Sequence, residues 1–165
     1  DCIVTSRGYY QWNPHLDCSV DVFEVNDLSE LARKESDAEK RSRIYEQIVN
    51  LYDGRLLPQS ASEPWVESVS VRLHGQYRTA ILNLLELCKK WGESTRIVTL
   101  CTRALELDPY EERLYLEEIV ALEALGRHNE AQKLARRGID LYMTSDITHR
   151  NFHDAVPLSV DLRSV

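Results

Sequence analysis

His149 and His153 stand four positions apart near the end of the chain, with Asp146 and Asp154 beside them. On a helix, two imidazoles at that spacing can share a divalent metal with a carboxylate. Residues 144–165 carry no helical periodicity, so the spacing gives these rings no common face. Glu111, Glu112, Glu117 and Glu118 form a second concentration of titratable groups. Paired carboxylates can do acid–base work, but along an amphipathic helix such a run reads as a solvated charged face. Glu111 and Glu112 also suit a first helical turn, where free N–H groups favour negative charge. The cysteines are Cys2, Cys18, Cys88 and Cys101, with no Cys-x-x-Cys pair to suggest a zinc knuckle. Cys88 and Cys101 fall inside apolar helical patterns and read as small buried hydrophobes. Four free thiols suit a reducing cytosol, with a Cys2–Cys18 disulfide as the alternative. There is no Gly-rich phosphate loop, nucleophile elbow or Cys/His pair at a catalytic spacing. The expectation is a non-enzyme with no metal, no cofactor and no small-molecule substrate.

The stretch "TSRGYYQW", Thr5 to Trp12, is the other candidate site. Tyr9, Tyr10 and Trp12 could stack on bases, as in single-strand binders. The reading taken is a strand packed on the helical domain. Arg7 beside Gly8, between β-formers, marks a hairpin or strand end. The net charge of -7 over 165 residues argues against this chain gripping a nucleic-acid backbone by itself, which needs a concentrated basic face. No apolar run approaches the roughly 20 residues needed to span a membrane, and no signal peptide is visible. The expected location is cytoplasmic. The chain opens on Asp1 rather than a methionine, which implies a fragment of a longer protein.

The elements that must position these residues are mostly helical. "VFEVNDLSELARK" places Val22, Phe23, Val25, Leu28, Leu31 and Ala32 on an apolar stripe. Asp37 can cap the next helix, in which Ile44, Ile48 and Leu51 share a face with Tyr45, Val49 and Tyr52 beside it. Gly54, Pro58 and Pro64 make the following stretch a loop, with Ser62 as a cap and Pro64 in the first turn of a long helix to Trp91. Val66, Val69, Leu73, Tyr77, Ile81, Leu84, Leu85 and Cys88 form its stripe, Gly75 weakens its middle, and Gly92 ends it. Three more helical patterns follow, at about 94–107, 111–125 and 129–142.

Gly92 and Gly126 lie 34 positions apart, the tetratricopeptide period. Each helix pair of such a repeat leaves an apolar face that only a neighbouring pair can cover, so pairs stack. Ile81, Leu84, Leu85 and Cys88, then Ile97, Cys101, Ala104 and Leu105, take the buried positions of one unit. Tyr115, Ile119 and Leu122, then Ala131, Ala135, Gly138 and Ile139, take those of the next. Glu118 falls where leucine is usual and Met143 where proline is usual, so this second unit is degenerate. Residues 22–52 read as a third, divergent hairpin. The fold class is therefore all-α: about six helices in tetratricopeptide-like stacked hairpins, with a short β segment in front.

The groove of such a stack is lined by its first helices. The register turns Thr79, Leu82, Glu86, Lys89 and Lys90 toward it, then Arg113, Leu116, Val120, Glu123 and Ala124. That mixed surface suits a peptide or partner helix, or it is covered by the chain's own tail or amino-terminal segment.

Several phrases in order resemble the bacterial transcriptional activator domain of antibiotic-regulatory-protein type regulators. They are "VDVFEV" (20–25), "LYDGRLLP" (51–58), "EPWV" (63–66), "ALELDPYEERLY" (104–115) and "ALGRHNEA" (124–131). The resemblance covers about 17–142. It implies a module of residues 17–143 behind a winged-helix DNA-binding domain, whose wing strand would be residues 1–14, and an irregular tail at 144–165. "IVTSRGYYQW" resembles the end of that wing, which makes Arg7 a candidate contact to the DNA backbone. The recognition helix is absent from this chain, so promoter DNA would be reached only through the absent domain. The resemblance implies a non-catalytic module that mediates self-dimerisation or contact with RNA polymerase or another regulator domain. The competing reading is a tetratricopeptide adaptor that captures peptides, with no role in transcription. The tail departs from the family's usual Glu-Leu-Gly-Val-type ending.

Overall fold

A computed structural model describes residues 3–6, 8–13, 21–54 and 56–144. At the amino end, β1 (Ile3–Ser6) and β2 (Tyr9–Trp12) pair antiparallel, with Ile3 opposite Trp12 and Ser6 opposite Tyr9. Gly8 turns the chain at φ 81°, in the left-handed region that tight hairpin turns demand. The hairpin expected from "IVTSRGYYQW" is present. Tyr9, however, is 77% exposed, so its ring is not packed on the helical part as a buried strand aromatic would be. Arg7, Cys2, Cys18, Asp146, His149, His153 and Asp154 lie outside the described residues, as do the side chains of Tyr10, Trp12 and Met143.

Six helices follow: α1 (Asp21–Lys34), α2 (Ala38–Leu51), α3 (Pro64–Trp91), α4 (Ser94–Leu107), α5 (Glu112–Ala124) and α6 (His128–Thr144). Their ends obey local rules. Asp37 accepts a hydrogen bond from the Lys40 N–H at 2.9 Å, and that bond holds its carboxyl below the usual carboxylate range. At α3 the expectation needs correcting. Glu63, not Ser62, occupies the cap position, and no side chain caps the helix. Pro64 at the first position has no N–H to satisfy, so one orphan donor is already gone.

The 34-residue period appears as a repeated backbone motif. Gly92 and Gly126 both adopt left-handed φ, 71° and 73°. In each case the next residue's N–H reaches back five positions: Glu93 to the Cys88 carbonyl at 3.0 Å, Arg127 to the Leu122 carbonyl at 2.9 Å. This is the Schellman closure of a helix.

Each helix contributes one face to a single core. Tyr77, Ile81, Leu84, Leu85 and Cys88 of α3 meet Ile97, Cys101, Ala104 and Leu105 of α4, and Tyr115, Ile119 and Leu122 of α5 are buried with Ala131 and Ala135 of α6. These are the positions the repeat register assigns to the interior. The α1 stripe is narrower than its sequence implies. Val25 and Ala32 are buried and Val22 and Leu28 pack against the core, whereas Phe23 and Leu31 are 66% and 51% exposed. At about 100° per residue, Val22, Leu28 and Ala32 fall within ~60° of Val25, but Phe23 lies ~160° and Leu31 ~120° away. A 14-residue helix packed on α2 and α3 buries only the narrow arc.

Candidate protein-binding surface

The first helices of the hairpins, α1, α3 and α5, lie along one side of the stack. α1 packs on α3, and α3 reaches α5 through charged side chains. Glu86 of α3 pairs with Arg113 of α5 and with Lys89, whose Nζ lies 3.3 Å from it. Lys89 Nζ also donates to Glu117 of α5 at 2.9 Å, and Arg113 Nε sits 3.7 Å from that same carboxylate. One turn pair further back, the Arg78 guanidinium forks onto both oxygens of Glu111. Three residues expected in the groove, Glu86, Lys89 and Arg113, are therefore brought together by the fold.

The network keeps its charges on. The Lys89 bond, with the Lys89 and Arg113 charges behind it, holds the Glu86 carboxyl below its ordinary range. Burial by itself would lower Lys89, but its bonds to Glu117 and Glu86 outweigh that and raise it. The Glu111 bond raises Arg78.

The remaining groove positions divide. Thr79, Lys90, Val120 and Ala124 are exposed, and the Thr79 hydroxyl donates to its own helix at the Gly75 carbonyl. Leu82 and Leu116 pack against the core, so their side chains are only half available to a partner. Glu123 lies 3.0 Å from His128 Nδ1.

The acidic cluster is not a solvated face. The Glu111 and Glu117 side chains are 10% and 14% exposed and each is paired to α3. Glu118 is buried. Its Oε1 accepts from the Thr102 hydroxyl of α4 at 2.6 Å, while Oε2 is buried with no hydrogen-bond partner among the described residues. Burial pushes this carboxyl up, against the weaker pull of the Thr102 bond and of Arg137 and Arg127. The helix carries glutamate where the repeat usually carries leucine, and the degenerate position stays inside.

Several connections have no counterpart in the sequence reading. Tyr52 OH meets His74 Nδ1 at 3.3 Å, and His74 Nε2 lies 3.3 Å from Asp108, so α3 bridges the ends of α2 and α4. Tyr52 stacks on Tyr77 with ring centroids 4.4 Å apart. Arg96 donates to Glu93 at 2.8 Å and to Glu46 at 2.5 Å, and Arg103 donates to Asn50 at 2.7 Å, tying α4 to α2. Apart from the local Arg96–Glu93 pair, these partners lie 22 or more positions apart, beyond the reach of any single helix's periodicity.

No described constellation suits bond-making chemistry. Cys88 and Cys101 are buried free thiols, and burial pushes Cys88 up to about 11 and raises Cys101 as well, so neither offers a thiolate near neutrality. Among the described residues no group of three His, Cys, Asp or Glu side chains is placed to hold a metal, and no helix is long and apolar enough to cross a membrane. What the side α1–α3–α5 offers is area, a fixed charge pattern and exposed apolar points such as Val120. A family model, the bacterial transcriptional activator domain, matches residues 20–140. No curated protein and no solved structure matches the chain.

Proposed function

The chain belongs to the bacterial transcriptional activator domain family, and on that premise we propose that its first-helix side carries the protein contacts of a DNA-binding transcription regulator. The chain is a bacterial transcription-regulator module, and its family is regulatory rather than catalytic. The finer reading is that the α3–α5 face joins the DNA-binding part to a second copy, to RNA polymerase or to an attached signalling domain. One observation carries it. The Glu86–Lys89–Arg113–Glu117 network fixes α3 against α5 and leaves Lys90, Val120 and Ala124 standing around a rigid rim. Pre-ordered side chains lose little entropy when a partner arrives.

In the same reading, residues 17–143 form the module, 1–14 the last strand of a winged-helix wing, and 144–165 a separate tail. Arg7 then contacts the DNA backbone in the full regulator, and Arg7→Ala lowers the salt slope of DNA affinity by about one unit. An unchanged slope removes Arg7 from the interface.

The test of the surface is co-purification and light scattering of the chain with itself, with RNA polymerase core enzyme and with the upstream part of its own reading frame. Val120→Glu and Lys90→Glu, both at exposed positions, should weaken the contact that forms without lowering helix content. The reading is wrong if the variants bind as the wild type does, or if the upstream frame encodes further helical repeats in place of a winged helix.

A further inference from the structure

Cations on the described helices are mostly satisfied: Arg78, Lys89, Arg96, Arg113 and Arg127 each grip a glutamate. Arg33 of α1 and Arg72 of α3 are among the cations whose side chains have no hydrogen bond or ion pair among the described residues, as are Lys40, Arg43, Lys90, Lys133 and Arg137, and these two differ from the rest in sharing a cleft. Both line one cleft of about 370 Å³ where α1, α2 and α3 meet. In a chain of net charge -7, two free guanidinium groups on one cleft reverse the local sign.

The rest of the cleft is apolar or already committed. Tyr45 and Ile48 of α2 and Ala80 of α3 contribute apolar lining. Ser29 and Thr79 also line it, but their hydroxyls donate to the Val25 and Gly75 carbonyls of their own helices. They offer no free donor to an anion, which leaves the two arginines. Gly75 opens the wall, since a Cβ there would meet nothing within 4 Å. Gln76 Nε2 donates to Asn26 Oδ1 at 3.0 Å, while its Oε1 is buried with no hydrogen-bond partner among the described residues.

We propose that this cleft docks a short acidic–apolar peptide segment of a partner protein. One aliphatic or aromatic side chain enters over Tyr45, Ile48 and Ala80, and flanking carboxylates meet Arg33 and Arg72. The cleft makes two demands, anions at two points and an apolar group between them. An acidic–apolar peptide meets both, whereas a phosphate or other simple anion meets only the first. Arginine is suited to the carboxylates because its planar fork binds them bidentately. The site lies on the α1–α3 part of the same side and shares Thr79 with the groove, while Glu86, Lys89, Arg113 and Glu117 do not line it, and it does not depend on what the α3–α5 face binds.

The experiment is a titration of the ¹⁵N-labelled chain with acetyl-Glu-Glu-Leu-Glu-Glu-amide, followed by backbone amide shifts. Shifts should centre on Ser29, Arg33, Arg72, Gly75 and Gln76. The glutamine analogue, acetyl-Gln-Gln-Leu-Gln-Gln-amide, should bind about fivefold more weakly or worse, and so should Arg33→Glu and Arg72→Glu. Lys133→Glu, an exposed change on α6, should leave affinity unchanged. If a charge reversal perturbs folding, Arg33→Gln and Arg72→Gln serve in its place. The proposal is overturned by equal binding of the neutral peptide, by shifts centred on α5 and α6, or by no shift at millimolar peptide. It is also overturned if binding appears only when residues 145–165 are removed, which would make the chain's own tail the occupant.

Discussion

The Thr102 hydroxyl donates to Glu118 Oε1 at 2.6 Å, so the only buried carboxylate among the described residues is held from the neighbouring helix of the stack. Thr102→Val deletes that donor and leaves both carboxylate oxygens buried without a bond. The expected loss is about 1–2 kcal/mol. Glu118→Leu removes the polar group entirely and restores the residue usual at this repeat position. It should raise stability by about 1 kcal/mol or more, because the desolvation cost disappears together with the bond. Urea denaturation of the two variants should therefore give shifts of opposite sign.

Glu118 also sets a pH dependence. Its folded carboxyl is raised above the ordinary 4.5 by burial. Over the window from about 4.5 up to the raised value, the folded state holds more protons than the unfolded one. Stability from this group is complete below 4.5 and is lost as pH rises through the window. Glu86 and Glu130 are shifted the other way, downward, so their contributions are lost only as pH falls below the usual carboxylate range. Glu118→Gln should thus flatten the decline of wild-type stability between about pH 4.5 and neutrality and leave the acid limb unchanged. Denaturation midpoints at several pH values measure both limbs. A parallel decline in the variant would mean that another group is responsible.

The α3–α5 network makes a different kind of prediction. Glu117 is 14% exposed and touches both Lys89 and Arg113. Glu117→Gln should cost about 1 kcal/mol at low salt, near the upper end for partly exposed pairs. The Debye length shrinks to about 3 Å at 1 M salt, so the difference should narrow there. Lys34→Gln, which breaks an i,i+4 pair exposed on both sides, should cost no more than a few tenths of a kcal/mol. Thermal melts at two salt concentrations separate the cases.

The stack was legible in the sequence because its signals are local. A 3.6-residue apolar period places Ile81, Leu84, Leu85 and Cys88 inside, and a glycine at φ 71° or 73° closes the helix wherever the chain must turn. The Asp37 cap is equally local. The α1 stripe was read too wide because Phe23 and Leu31 are apolar but lie off the packed arc, and composition does not reveal the angle. The site was less legible. Glu111 and Glu117 look like a solvated face until α3 brings Arg78 and Lys89 to them. Whether Arg33 and Arg72 are free while Arg78 and Arg113 are paired depends on which carboxylates the stack carries past each of them. No spacing along one helix records that.

Tyr52 and Tyr77 test the packing between α2 and α3. Their rings stack at 4.4 Å, and burial pushes the Tyr77 phenol up to about 12. Its hydroxyl is buried with no hydrogen-bond partner among the described residues. Tyr77→Phe should be neutral or stabilising, because it removes an unsatisfied group and keeps the ring. Tyr77→Ala should cost about 3–5 kcal/mol through lost burial and a residual cavity. Burial raises the Tyr52 and Tyr115 phenols too, so spectrophotometric titration of the folded chain at about pH 11 should count one more protonated phenol in the wild type than in Tyr77→Phe. That difference assigns the phenol to Tyr77.

Gly92 and Gly75 make a matched pair, both exposed and both with nothing near a would-be Cβ. Space therefore does not distinguish them, and backbone conformation does. Gly92 holds φ 71° at the end of α3, so alanine there strains the cap by about 1 kcal/mol. Gly75 sits within α3 in ordinary helical conformation, where alanine lowers the entropy of the unfolded chain and favours the helix by about 0.5–1 kcal/mol. Gly92→Ala should lower the melting temperature and Gly75→Ala should raise it. The double variant should lie near the sum, since the positions are more than four helical turns apart and share no partner. A Gly75→Ala chain that melts lower than wild type would place something against that wall of the α1–α3 cleft.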